Sequence, residues 1–295
     1  MSPMTARPAS AGFGSRPTTS ITRSTRSPSR ARTTRSSYSR LGATRTASDE
    51  PGQMTLIRTP ADLLQVLDEL FADEAGRWDR FFAGLQSDHP LATGLPDENL
   101  LNWHAQGLLG PVAKGLRVLD IGCGEGRNAL WLASQGFAVE ALDLSVQALA
   151  KAETRARDQG HVIRFHQGSL FALFAGLGGF DLVYDAGLLH HIQPHRRPDY
   201  LAALAQLVRP GGKLGLVCFN ERMGTRADDL SILRQGSMAG GRSYSESELE
   251  YLFAPNFAKL EYRPMRPCAA DEPCVGWDFL AVSLWLRQGQ QSCSE

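Results

Sequence analysis

No apolar run in this 295-residue chain approaches the roughly 20 residues that span a bilayer. The nearest candidate, residues 170–177, is short and cut by Gly176. Cysteine is scarce, odd in number and scattered: Cys123, Cys218, Cys268, Cys274 and Cys293. That excludes a disulfide framework and offers no zinc spacing, so no metal site is expected. Cys268 and Cys274 are close enough in sequence to raise a redox pair, with reduced thiols as the default expectation. Net charge is also absent, since 31 basic residues balance 31 acidic ones. The balance conceals an asymmetry. Residues 1–53 hold nine arginines against Asp49 and Glu50, a surplus of seven positive charges, so the remainder carries a matching negative surplus. An acidic body disfavours a polyanionic partner such as nucleic acid. With no membrane segment, a soluble, cytoplasmic body is expected.

Residues 1–53 lack periodic apolar content and are rich in Ser, Thr, Arg and Pro. Such a segment cannot offset its ordering entropy by burial, so disorder is predicted. Three readings of it stay open: an organellar transit peptide, a basic arm for nucleic acid or anionic membrane, or sequence upstream of a start at Met54. From Thr59 the pattern turns helical, with Leu63, Leu64, Val66, Leu67, Leu70 and Phe71 at three- and four-residue spacing. An aromatic-rich stretch with Trp78, Phe81 and Phe82 follows, then a segment ending at Trp103, with Gly110–Pro111 as a junction. The organisation predicted is therefore a tail over 1–53, a helical unit over 54–112 and a larger domain over 113–290.

In that domain strands alternate with helices. Strands are predicted at 116–121, 138–143, 162–166, 180–185 and 213–219, and helices at 127–135, 146–158 and 198–208. Ser145 is the predicted N-cap of the second of these helices, with Gly160 just past its end. Short βα connections of this kind argue for a parallel sheet with helices on both faces. A last helix is predicted from Ser245–Glu246 to Phe253. Two more strands, 258–264 and 277–286, have no helix between them and suit an antiparallel hairpin at the sheet edge.

Ligands of open α/β sheets bind beyond the carboxyl ends of strands, so residues ending strands are the candidates for function. The first strand ends in Asp120 and breaks into Gly122, Gly124 and Gly126. Glycine lets the backbone turn sharply there and lets a ligand approach it. The GxGxG spacing departs from the GxGxxG of nicotinamide-binding folds. Asp143 ends the second strand about twenty residues on, where an acid chelates ribose hydroxyls. Ser169 and Leu170 follow the third strand, and Asp185 ends the fourth.

Taken in order, LDIGCGEGRNALWLA, ALDLS, FDLVYDAGLLHHI and LVRPGGKLGLVCF resemble the motifs of class I S-adenosylmethionine-dependent methyltransferases. The wording is most similar to the tellurite-resistance and thiopurine-type branch, which acts on small molecules. The resemblance implies an α/β, Rossmann-like doubly wound, mostly parallel seven-stranded sheet, with WDRFF and PDENLLNW as an N-terminal helical lid. It implies S-adenosylmethionine as cofactor, its methionine part against Asp120, Gly122, Cys123 and Gly124. Asp143 would take the ribose and Leu144 the adenine. Ser169 stands where the family often has an aspartate for the adenine amine. Arg127, Leu170 and Asp185 complete the expected cofactor contacts.

The reaction implied is attack by an S, O, N or metalloid nucleophile of a small molecule in line with the departing sulfur. Positioning and water exclusion then supply most of the catalysis. His191 and His190 are the candidate bases, with His195 further on; pocket shaping is the alternative role for the pair. Trp78, Trp103, Phe81 and Phe82 are candidates for an aromatic lid on the sulfonium or for core packing. Met223, Arg234 and Met238, within the Gly- and Arg-rich segment 221–242, are candidate acceptor contacts. An RNA or protein methyltransferase, or a non-catalytic S-adenosylmethionine-binding protein, are the alternatives. The acidic body and the YDAGLL wording after the fourth strand weigh against the first.

Overall fold

The computed structural model describes residues 56–71, 74–87, 89–111 and 115–289. The predicted tail, the Met54 start and Cys293 lie outside them. Seven strands form one sheet: β1 (Arg117–Ile121), β2 (Ala138–Asp143), β3 (Arg164–Gln167), β4 (Phe180–Ala186), β5 (Val208–Phe219), β6 (Phe257–Pro264) and β7 (Leu280–Arg287). Their order is β3-β2-β1-β4-β5-β7-β6. The first five run parallel, and β7 runs antiparallel to both β5 and β6. The order reverses between β1 and β4, so the crevice for a ligand opens at their carboxyl ends.

The helices described are α1 (Pro60–Leu70), α2 (Glu74–Gly84), α3 (Glu98–Ala105), α4 (Arg127–Ser134), α5 (Val146–Asp158), α6 (Leu170–Leu173), α7 (Arg197–Leu207), α8 (Asp229–Gln235) and α9 (Glu246–Phe253). Local chemistry sets several of their ends. Thr59 and Asp62 form a reciprocal capping box at the start of α1. Ser145 accepts the Ala148 N–H at the start of α5, and Ser245 with Glu248 caps α9 in the same way as Thr59. No described helix is long and apolar enough to cross a membrane.

Strand alternation sends successive side chains to opposite faces of the sheet. Leu119, Ile121 and Val183 join the core beneath α7 and α9, as does Phe180, which lies before the register shift in β4. Val118, Leu182 and Tyr184 join the core containing Leu100 and Trp103 of α3 and Leu132 of α4. By the same alternation Asp120 faces the α3 and α4 side.

The differences from the predicted elements have local causes. β3 is displaced to Arg164–Gln167, because Val162 is exposed and makes no ladder. β5 begins at Val208, before the Pro210–Gly212 turn, and its pairing with β4 shifts register there. β7 starts at Leu280, which frees Trp277 and Phe279 from the ladder. Segment 221–242 contains α8, capped by Asp228 on the Ser231 N–H and closed by Gly236 at φ +61°.

Candidate active site

A cavity of about 600 Å³ lies over the carboxyl ends of β1, β2, β4 and β5. Its floor is the turn after β1. Gly122 and Gly124 have φ of +68° and +54°, conformations that favour glycine. A Cβ on Gly124 would stand 3.0 Å from the Phe82 ring, closing the gap between floor and lid. The Gly122 and Cys123 N–H groups both donate to the Leu142 carbonyl, pinning the turn to β2.

Asp143 secures the turn from the other side. Its carboxylate accepts the Gly124 N–H (2.8 Å) on one oxygen and the Ser145 N–H (2.8 Å) on the other. An ionised carboxylate has about four acceptor positions, so each oxygen keeps one for a ligand hydroxyl. Burial pushes the Asp143 pKa up, opposed by these backbone N–H groups.

Beneath the turn lies a buried charge cluster. The Asp97 carboxylate accepts from the Arg127 guanidinium (2.7 Å), the Asn128 amide (2.9 Å) and the Tyr184 hydroxyl (2.8 Å). Asp120 is beside them, fully buried, and neither of its oxygens has a well-formed hydrogen bond to a described residue, the Ala129 N–H and the Arg127 charge being its nearest support. Burial raises its pKa to about 7 against the pull of Arg127, and Asp97 adds to the rise. Two carboxylates face one guanidinium, so with Asp120 ionised this floor carries a surplus negative charge. A buried carboxylate left without partners is costly, and a ligand cation with N–H donors would satisfy it.

The lid is α2. It brings Trp78, Phe81 and Phe82 to the cavity and is tied to α5 by polar bonds. Ser145 Oγ donates to Asp79 (2.5 Å), and Lys151 Nζ donates to the Phe82 carbonyl (2.8 Å). Trp277, Phe279 and Phe219 form the opposite wall, the first two stacked with ring centres 5.8 Å apart.

His190 and His191 stand between these walls. His190 stacks on Phe219 with centroids 3.7 Å apart, and its Nδ1 accepts the Phe219 N–H (3.3 Å). That bond leaves the ring proton on Nε2. His191 packs edge-on against Trp78 at 4.7 Å. Burial drives both below the usual imidazole range, His191 to about 3 with the Arg77 charge assisting, so both rings are neutral near pH 7.

Of the expected cofactor residues, Asp120, Gly122, Cys123, Gly124, Arg127, Asp143, Leu144, Ser169 and Leu170 all line this cavity. Asp185 does not. Its fully buried carboxylate accepts from the Gly187, Leu188 and Leu189 N–H groups and from the Tyr200 hydroxyl (2.6 Å), holding the loop after β4 in shape. Ser169 caps α6 by accepting the Phe171 N–H.

Other candidates fall elsewhere. His195 pairs with Asp68 of α1 (2.8 Å), outside the cavity. Trp103 is wholly buried, its indole N–H donating to Glu261 (2.7 Å), and so belongs to the core rather than the lid. The PDENLLNW segment supplies Asp97 under the floor instead of a lid. Met223, Arg234 and Met238 do not reach the cavity; Met238 packs with Phe71 and Ile232, and only Gly240 of that segment lines it. Asp97, Asn128, Trp277 and Phe279 escaped the sequence reading. For the last two, a run of aromatics before a strand was the available signal.

Acceptors placed for a ribose, next to a buried anion, suit a nucleoside that carries positive charge. Residues 118–212 match the methyltransferase domain family. The chain is 34% identical over 104 residues to an uncharacterized methyltransferase of Schizosaccharomyces pombe, C750.03c, covering 35% of this chain and 72% of that protein. It is also 34% identical over 111 residues to a ubiquinone biosynthesis O-methyltransferase of Caulobacter vibrioides, matching 37% of this chain and only 43% of that enzyme. Among solved structures, one from work on the conversion of a disulfide bond into a thioacetal group during echinomycin biosynthesis shares the fold. Its TM-score is 0.58 at 24% identity, covering 75% of this chain and 94% of that one. The chain belongs to the class I S-adenosylmethionine-dependent methyltransferases. Its cofactor is S-adenosylmethionine.

Proposed function

We propose that the chain transfers the methyl group by in-line displacement to an S, O, N or metalloid atom of a small, largely apolar molecule held against the aromatic wall. The observation that carries this reading is the division of one cavity into two halves. One half offers Asp143, the glycine turn and the unpartnered Asp120; the other offers Trp277, Phe279, Phe219 and Trp78. Bound S-adenosylmethionine supplies a methyl carbon made electrophilic by its sulfonium. Asp143 holds the ribose through the free acceptor position on each oxygen. Asp120 takes the methionine ammonium, and Leu144, Ser169 and Leu170 border the adenine. The ring faces attract positive charge and exclude water, so the chain's contribution is orientation in a dry site. The likeness to a ubiquinone biosynthesis enzyme supports a small-molecule acceptor.

In this reading His190 and His191 shape the pocket as neutral rings. A ring held near pKa 3 accepts a proton poorly, which favours an acceptor that is already nucleophilic. His191→Ala is expected to lower kcat less than about tenfold, against the roughly hundredfold or larger loss of a true general base. The rate profile between pH 6 and 9 should keep its shape. A hundredfold loss together with a vanished acidic limb would make His191 the base.

The acceptor class is tested by following S-adenosylhomocysteine release with panels of thiols, phenols, halides, metalloids and tRNA. Turnover with an aromatic thiol is expected, since it ionises near neutrality and needs no base. Turnover confined to tRNA would overturn the small-molecule reading, and cofactor binding without turnover on any panel would favour a sensor.

A further inference from the structure

The connection from β6 to β7 brings the Cys268 and Cys274 sulfurs to 3.2 Å, both as free thiols. Backbone bonds hold them there. The Cys268 N–H donates to the Gly276 carbonyl (3.2 Å), and the Glu272 N–H donates to the Ala269 carbonyl (3.1 Å). Further on, the Met265 N–H donates to the Leu280 carbonyl (2.9 Å), closing the base of the connection. Cys268 is half-buried and within reach of a small reagent, whereas Cys274 is buried behind it. Three residues past Cys274 the chain enters the cavity wall at Trp277.

A metal is the competing occupant, because the two sulfurs and a Glu272 oxygen lie within 4.8 Å of one another. Glu272 is already engaged, however. Its two oxygens take the Arg266 guanidinium at 3.1 and 2.7 Å, and the same guanidinium lies 3.8 Å from the Cys274 sulfur. The Arg266 guanidinium already neutralises the one carboxylate of the group and lies beside the Cys274 sulfur. Two thiols in sulfur–sulfur contact are arranged for covalent closure.

We propose that Cys268 and Cys274 form a reversible intrachain disulfide that clamps the β6–β7 connection and the aromatic wall it carries, with a low-molecular-weight disulfide as oxidant. The Cys268 thiolate attacks one sulfur of the oxidant, making a mixed disulfide and releasing one thiol. The Cys274 thiolate then attacks the Cys268 sulfur, forming the internal bond and releasing the second thiol. The two cysteine protons end on the two released thiols, and the oxidant's disulfide is the species reduced. Burial, with the neighbouring Cys274, pushes the Cys268 thiol up to about 12, so closure is slow near neutrality and quickens with pH. The closure requires nothing of the methyl acceptor and stands apart from its identity.

The test exposes the full chain to oxidised glutathione, alkylates the remaining thiols and weighs the peptide spanning 268–274. The expected product is that peptide lighter by two hydrogens, restored by dithiothreitol, and formed at least about tenfold faster at pH 9 than at pH 7. Amide exchange across 265–279 should slow in the oxidised protein, and Cys268→Ser or Cys274→Ser should each prevent the bond. The wild-type mass result needs no variant to fold. A persistent glutathione adduct on Cys268, a bond between two chains, two thiols still alkylated, or unchanged exchange in the oxidised form would each overturn the proposal. So would one equivalent of zinc protecting both thiols.

Discussion

Asp143→Ala is expected to weaken S-adenosylmethionine binding by roughly a hundredfold or more. Each hydrogen bond to a charged acceptor is worth about 1.5–3 kcal/mol, and the substitution removes two proposed ribose contacts at once. It also releases the Gly124 and Ser145 N–H groups that Asp143 now binds, while the Gly122 and Cys123 bonds to the Leu142 carbonyl still hold the turn to β2. S-adenosylhomocysteine carries the same ribose and should lose affinity in parallel, which separates a ribose defect from a sulfonium defect. Asp143→Asn should recover little, because an amide cannot accept both backbone donors and both hydroxyls. Calorimetric titration of the variants reads the effect. A loss below about threefold would remove Asp143 from the ribose.

Asp120→Asn is expected to move stability and binding in opposite directions. The folded-state pKa of Asp120, about 7, stands above its ordinary 3.8, so the folded state holds this proton more tightly than the unfolded chain does. The stabilising contribution of the protonated form is fully present below pH 3.8 and is lost as pH rises through about 7. At pH 8 the wild-type protein without ligand therefore carries a buried, unpartnered anion. The asparagine variant should be more stable there, by on the order of 2 kcal/mol, with the advantage shrinking as pH falls toward 5. Cofactor affinity should fall at least about tenfold in the same variant, because the ammonium loses its ionised partner. In the wild type, affinity should weaken as pH drops through about 7 and Asp120 takes up its proton. Melting curves from pH 5 to 8, with and without S-adenosylhomocysteine, measure both effects. A variant less stable at pH 8 that binds normally would contradict this assignment.

What the sequence revealed, and what it hid, divides by range. α5 was legible because Ser145 and Gly160 mark its ends within the same short window as its apolar face. β2, Asp143 and the glycine turn were legible for the same reason: the turn's conformational demand is written in the residues that make it. Asp97 was not legible. Its partners Arg127, Asn128 and Tyr184 lie between 30 and 87 positions away, and nothing local distinguishes it from a helix-capping acid. Asp185 misled in the opposite sense, since the end of a strand suits a ligand contact and a loop-shaping acid equally well. Trp103 and Trp78 both sit in aromatic helical segments; which one meets the cavity depends on α3 packing against the sheet face while α2 packs on α5 beside the carboxyl ends of the strands. α8 carried its own Asp and Gly caps and was obscured by the glycines around it. Trp277 and Phe279 were hidden by where β7 begins, three residues later than the apolar pattern suggested.

The central claim is that the cavity above β1 and β2 is a methyl-donor site built on Asp120 and Asp143. Calorimetric titration of the full chain with S-adenosylhomocysteine at pH 8 tests it most directly. Saturation at one equivalent per chain with sub-millimolar affinity, lost in Asp143→Ala, is the result predicted. No saturable binding by a wild-type protein that melts cooperatively, or binding indifferent to Asp143, would contradict it.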